Sequence, residues 1–239
     1  CQEEMEETGE SRTTSQPPLL EDGSVTTRCN GHTIHCLTII GQIEGHYILP
    51  SQNKTTKYEH VIPLLAAVEE SEDIDGLLLL LNTVGGDIEA GLAIAEMIAT
   101  VSKPTVSLVL GGSHSIGVPL AVSADYSFIV PSGTLLIHPV RMGGTVIGAP
   151  RSFAYFKRVQ DRITEFIEGH SQAKKQMLEQ MMMDNTELTN DLGTILVGKE
   201  AVDAGLIDAV GGISEALKKL KSMIEGLSLI HISEPTRHA

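Results

Sequence analysis

The run Gly76 to Asn82 reads GLLLLLN. An apolar run without alternation cannot offer one face to water, so it suits a strand buried on both sides, as in a parallel sheet with helices above and below. It ends in TVGGD, where Gly85 and Gly86 allow a tight turn with outward backbone N–H groups and Asp87 is placed to cap a helix over Ile88 to Thr100. The pattern then recurs. Thr105 to Leu110 is a second apolar, β-branched run, Gly111 and Gly112 mark a turn, and Ser115 sits where another helix begins. Two successive β-turn-α units stack as a parallel sheet and put both glycine turns on one edge, where open α/β sheets place their sites. Strands expected at Tyr126 to Val130 and Leu135 to His138 bring an imidazole towards that same edge.

Charge and termini narrow the range of functions. The formal charge of −14 over 239 residues argues against nucleic acid as a partner. Much of it is local, since residues 1 to 24 carry seven acids against Arg12 alone. Residues 1 to 28 are therefore expected to be a disordered acidic leader, followed by one domain over residues 29 to 225. At the other end LSLIHISEPTR resembles the in-frame translation of a sequencing adapter, and residues 226 to 239 are read as non-native. No apolar run approaches the ~18 residues of a membrane span, and no signal peptide is evident. The expectation is a cytoplasmic protein without stable membrane insertion. Three cysteines, Cys1, Cys29 and Cys36, form no even framework, which fits a reducing compartment.

The segment CNGHTIHC, with Cys29, His32, His35 and Cys36, superficially suggests zinc. Adjacent His35 and Cys36 on one strand would point to opposite faces, so the segment reads as the approach to a strand over Ile34 to Ile40, closed by Gly41, and no metal is expected. Helices are expected over Tyr58 to Val68, Arg151 to Glu168 and Ser171 to Asp184. A short helix at Lys199 to Ala204, a strand at Leu206 to Val210 and a closing helix at Ile213 to Glu225 follow. The methionines Met177, Met181, Met182 and Met183 read as packing.

These residues resemble one family. NTVGGDIEAG from Asn82, SIG from Ser115, IHP ending at Pro139, LEQMMMD ending at Asp184 and EAVDAGLID ending at Asp208 are similar, in order, to motifs of the Clp protease proteolytic subunit family. GHTIHCLTIIGQIEGH, NKTTKYEHVIP and SHSIGVP resemble its translocation-enhancing branch from spore-forming Gram-positive bacteria. The likeness covers about Thr33 to Ile224. It implies an α/β fold of the Clp-protease/crotonase-like type, with repeated β-turn-α units and a protruding helical handle over Arg151 to Asp184.

The resemblance implies a serine endopeptidase with Ser115 as nucleophile, His138 as general base and Asp184 as the group that orients the histidine. Asp191 is the rival for the third place. Gly85, Gly86 and Ile116 are the implied oxyanion donors. Such a trio has a chemical reason: a serine hydroxyl is a poor nucleophile until an imidazole takes its proton, and a carboxylate fixes the imidazole's tautomer. The resemblance also implies a homo-oligomer, a heptameric ring or stacked rings, acting on unfolded proteins or peptides without cofactor or metal. A Clp-type ATPase partner stays open, because the acidic leader resembles no docking loop. Two other readings remain: a catalytically silent ring or scaffold subunit, and a crotonase-like acyl-thioester enzyme. His114 departs from the family pattern, which has a small residue before the nucleophile.

Overall fold

The computed structural model describes residues 23–29, 31–141, 149–185 and 192–233. Residues 1–22 of the expected leader and Asp191 lie outside them. A mostly parallel sheet forms the centre. Its strands are β1 (Ser24–Cys29), β2 (His32–Glu44), β3 (Thr55–Lys57), β4 (Gly76–Gly86) and β5 (Thr105–His114). They continue with β6 (Tyr126–Ile129), β7 (Thr134–Ile137), β8 (Thr194–Val197) and β9 (Ala209–Val210). The helices are α1 (Tyr58–Glu70), α2 (Ile88–Thr100), α3 (Gly117–Val122), α4 (Ala149–Gly169), α5 (Lys175–Met183), α6 (Lys199–Asp203) and α7 (Ile213–Ser233).

The order across the sheet is β1-β2-β4-β5-β6-β9, with β3 beside β2, β7 beside β5 and β8 beside β7. β4 lies between two parallel neighbours, and its side chains alternate between two cores as the unbroken leucine run requires. Leu77, Leu79 and Leu81 join residues from α1, α2 and α3 on one face. Leu78 meets Val106, Leu108 and Phe128 under Ala216, Leu220 and Ile224 of α7 on the other. Burial of this kind stabilises by roughly 25 cal/mol per Å² of apolar surface, and β4 collects it on both sides.

Four boundaries differ from the sequence reading, each for a physical reason. Residues 24–28, assigned to the leader, form β1, because Ser24 to Cys29 find an antiparallel partner in β2, a pairing that composition alone does not reveal. Gly41 does not close β2. The strand runs on to Glu44 through a register shift at Gly41/Gln42, where φ is +81° and any Cβ would lie 2.2 Å from the Lys54 carbonyl oxygen. Nor do Gly111 and Gly112 turn the chain. β5 passes straight through them while changing partner, from β6 over Val106 to Val109 to β7 over Gly112 to His114. A Cβ on Gly111 would lie 2.4 Å from Asn82 Oδ1, and that oxygen accepts the Gly112 N–H at 3.0 Å. Finally, α7 continues past Glu225 to Ser233, because Gly226 has open space around it and interrupts nothing.

Candidate active site

The fork in β5 builds the site. β5 ends at His114, Ser115 adopts φ +58°, and α3 starts two residues later with Ile116 as its N-cap. Ser115 is the sole non-glycine residue with positive φ among the described residues. A serine held in the left-handed region between strand and helix is a strained, sharp presentation of its hydroxyl. The turn is fixed on both sides, since the Ser115 N–H donates to the Leu136 carbonyl at 2.9 Å and its carbonyl accepts the Val118 N–H at 3.0 Å. Two residues beyond Leu136 the β7 strand has ended and His138 follows.

Ser115 and His138 line one cavity of about 150 Å³ together with Gly86 and Ile116. Ile88, Val118, Ile137, Ile163, Ile167 and Met182 supply apolar walls from α2, α3, β7, α4 and α5, and Arg141 stands at the rim. A cavity of that size accepts a group about as large as benzene. The methionine stripe thus contributes one wall, while Met183 is turned outward and 61% exposed.

The tautomer of His138 follows from its neighbour. Nδ1 lies 2.7 Å from the Pro139 carbonyl oxygen, which can only accept, so Nδ1 carries the proton and Nε2 holds the basic lone pair. This is the arrangement a general base for a serine hydroxyl needs. Asp184 stands at the C-cap of α5, and its carbonyl accepts the Gly193 N–H at 2.8 Å. Gly193 in turn packs on His138, leaving only 2.9 Å between its absent Cβ and the His138 Cβ. Asp184 therefore belongs to the frame around the histidine; it does not line the cavity. Its rival Asp191 lies outside the described residues.

The glycine turn divides its roles. The Gly85 N–H donates to Thr83 Oγ1 at 3.0 Å, and Thr83 Oγ1 donates to the Gly41 carbonyl at 2.6 Å, locking β4 to β2 at the bulge. That leaves Gly85 a steric part: a Cβ there would come within 2.7 Å of both the Ser115 Cβ and the His114 carbonyl. Gly86, with φ +154°, reaches the cavity wall beside Ile116. Asp87 caps α2 as expected, its carboxylate accepting the Ala90 N–H at 2.9 Å.

Sequence reasoning missed the Pro139 carbonyl, the Thr83 latch and the partnership of His114 with Thr134. A carbonyl carries no side-chain signal. The other two depend on registers between distant strands. Of the suggested zinc segment, His35 accepts or donates at 2.8 Å to Thr26 Oγ1 across β1 and β2, and His32 Nε2 lies 3.4 Å from Glu225 Oε1.

Residues 31–214 match the family model described as Clp protease. Among curated proteins, the chain is 58% identical over 192 residues to the translocation-enhancing protein TepA of Halalkalibacterium halodurans, covering 80% of this chain and 75% of that protein. It is 25% identical over 137 residues to the ATP-dependent Clp protease proteolytic subunit 1 of Chlamydia muridarum, covering 56% and 69% respectively. A putative protease of Methanocaldococcus jannaschii is 26% identical over 210 residues, covering 75% and 65%.

Proposed function

The chain belongs to the Clp protease family, and from that premise we propose that it is a serine endopeptidase working through Ser115, His138 and Asp184. The observation that carries the reading is the pairing of a strained Ser115 with a His138 whose Nδ1 is already protonated, both on one cavity wall. In the step so supported, Ser115 Oγ attacks the peptide carbonyl carbon while its proton passes to His138 Nε2. The carbonyl oxygen becomes an oxyanion facing the Gly86 and Ile116 backbone amides, and such donors are each worth on the order of 3 kcal/mol. Collapse of the adduct breaks the C–N bond, His138 returns the proton to the leaving amine, and water then releases the acyl group by the same route. Asp184 would hold and stabilise the imidazolium.

Around this site we read a homo-oligomeric ring that admits unfolded chains and peptides, and a role connected with protein export, as the name of the relative TepA suggests. A cytoplasmic location belongs to the same proposal; no helix among the described residues is long and apolar enough to cross a membrane. Sedimentation of the purified protein should give a heptamer or larger, and a stable monomer at micromolar concentration would remove the ring.

A second reading is a catalytically silent subunit. The Pro139 carbonyl at His138 Nδ1 sets the tautomer, and that alone serves an active and a silent site equally. Fluorophosphonate labelling decides between the two. Adduct at Ser115 alone, lost in Ser115→Ala, supports the peptidase; an assembled protein that takes no label supports the silent subunit.

A further inference from the structure

His114 precedes the proposed nucleophile and has no part in the chemistry just described. Its ring does not point into the cavity wall formed by Ser115 and His138. It lies back along β5, with Nε2 2.8 Å from Thr134 Oγ1 at the start of β7. The space it occupies exists because residue 112 is glycine: a Cβ there would stand 2.8 Å from that same Nε2.

The position matters because of how His138 is delivered. β7 pairs with β5 through only Gly112↔Thr134, Ser113↔Leu135 and His114↔Leu136. A pairing so short leaves the angle between the two strands weakly determined, and a serine–imidazole pair loses rate steeply with displacement. The His114 to Thr134 bond joins the last β5 residue of this pairing to its first β7 residue, on the face opposite Ser113. We infer that His114 is a positioning residue, which through Thr134 fixes β7, and with it His138, against the strand that carries Ser115.

The electrostatics agree with that role. Burial, and then the charge of His138, hold the proton affinity of His114 below that of an ordinary histidine. Among the described residues, the hydrogen-bond partner of the ring at Nε2 is the neutral Thr134 hydroxyl on β7. A neutral imidazole can serve as strap without placing a second cation beside the imidazolium that forms on His138. Near neutral pH a histidine here therefore binds the strand at no electrostatic cost to the reaction.

The inference rests on the peptidase reading, and its test separates the two. The full-length protein is compared with His114→Leu, Thr134→Val, the double variant and His114→Gln, by hydrolysis of an unfolded substrate and by the rate of fluorophosphonate labelling. His114→Leu and Thr134→Val should each lower kcat and the labelling rate about tenfold with KM within about twofold. The double variant should be no slower than either single one, because both cut the same bond. His114→Gln, which can still reach Thr134, should stay within about threefold of the parent. Full rate in either single variant, or losses that multiply in the double, would overturn the strap while leaving the peptidase intact. NMR titration of the His138 ring supplies the readout that does not need turnover. Equal changes in His114→Leu and Thr134→Val are expected, and an unchanged His138 overturns the strap even in a protein that takes no label. Absence of label with equal changes at His138 would instead overturn the peptidase reading alone.

Discussion

Ser115 holds a backbone conformation that costs a β-carbon residue of the order of 1–3 kcal/mol, and nothing about α3 requires it, since glycine would make the same turn without strain. The strain is what aims the hydroxyl at the cavity. Ser115→Gly should therefore raise stability by about 1 kcal/mol in chemical denaturation while abolishing hydrolysis, and Ser115→Ala should abolish hydrolysis at unchanged stability. A Ser115→Gly protein less stable than the parent would show that the hydroxyl, rather than the fold around it, maintains the turn. Asp184 is judged by rate. If it stabilises the imidazolium, Asp184→Asn should lower kcat by about 10⁴. If the Pro139 carbonyl suffices, the loss should be below about tenfold, and the carboxylate then serves only the frame around Gly193. Gly86 tolerates no replacement: at φ +154°, with the Ile43 carbonyl oxygen 2.2 Å from any added Cβ, Gly86→Ala should fail to accumulate as folded protein.

At the scale of elements, the site is a meeting of strand ends, and their quality depends on short-range devices. The Asp87 cap is one of them, tied to the Gly86 wall by adjacency. Asp87→Ala should cost about 1 kcal/mol in denaturant melts, and Asp87→Asn, which keeps an acceptor for the Ala90 N–H, only a small part of that. Equal losses in the two would assign the effect to the charge instead of the cap. The same devices explain what the sequence discloses. Leucine periodicity is a one-dimensional signal, so the doubly buried β4, the capped α2 and the order of strands and helices could all be read directly. Gly111 and Gly112 carried an ambiguous one: glycine serves a turn or a close approach equally well, and the choice was made by Asn82, thirty positions away. β1 escaped because its partner strand, not its composition, makes it a strand. Ser115 and His138 were legible through the motifs around them. The pairing of His138 with a backbone carbonyl was not, because main-chain acceptors leave no trace in residue identity.

For the whole molecule, acid pulls stability in two directions. Protonating carboxylates relieves a chain whose formal charge is −14, which favours the compact state. Protonating buried histidines opposes it. His35 is 4% exposed, is joined through Nδ1 to Thr26 Oγ1, and its Nε2 has no hydrogen-bond partner among the described residues, so a second ring proton would be buried without an acceptor. Burial accordingly lowers its proton affinity in the fold, as burial and the His138 charge do for His114. Because the folded affinities lie below the unfolded value of about 6.5, the unfolded chain binds more protons in the interval between them. Stability is then full above about pH 6.5 and falls as pH descends through that value towards the folded ones. The ordinary carboxylate values of about 3.9 to 4.3 lie below that interval, so carboxylate neutralisation should offset the decline only weakly. Denaturant midpoints measured from pH 7.5 to pH 5.0 should therefore decline, and His35→Gln should flatten much of the decline while lowering the midpoint at pH 7.5. A midpoint that rises on acidification would mean that charge repulsion, not the buried imidazoles, governs the acid limb of this fold.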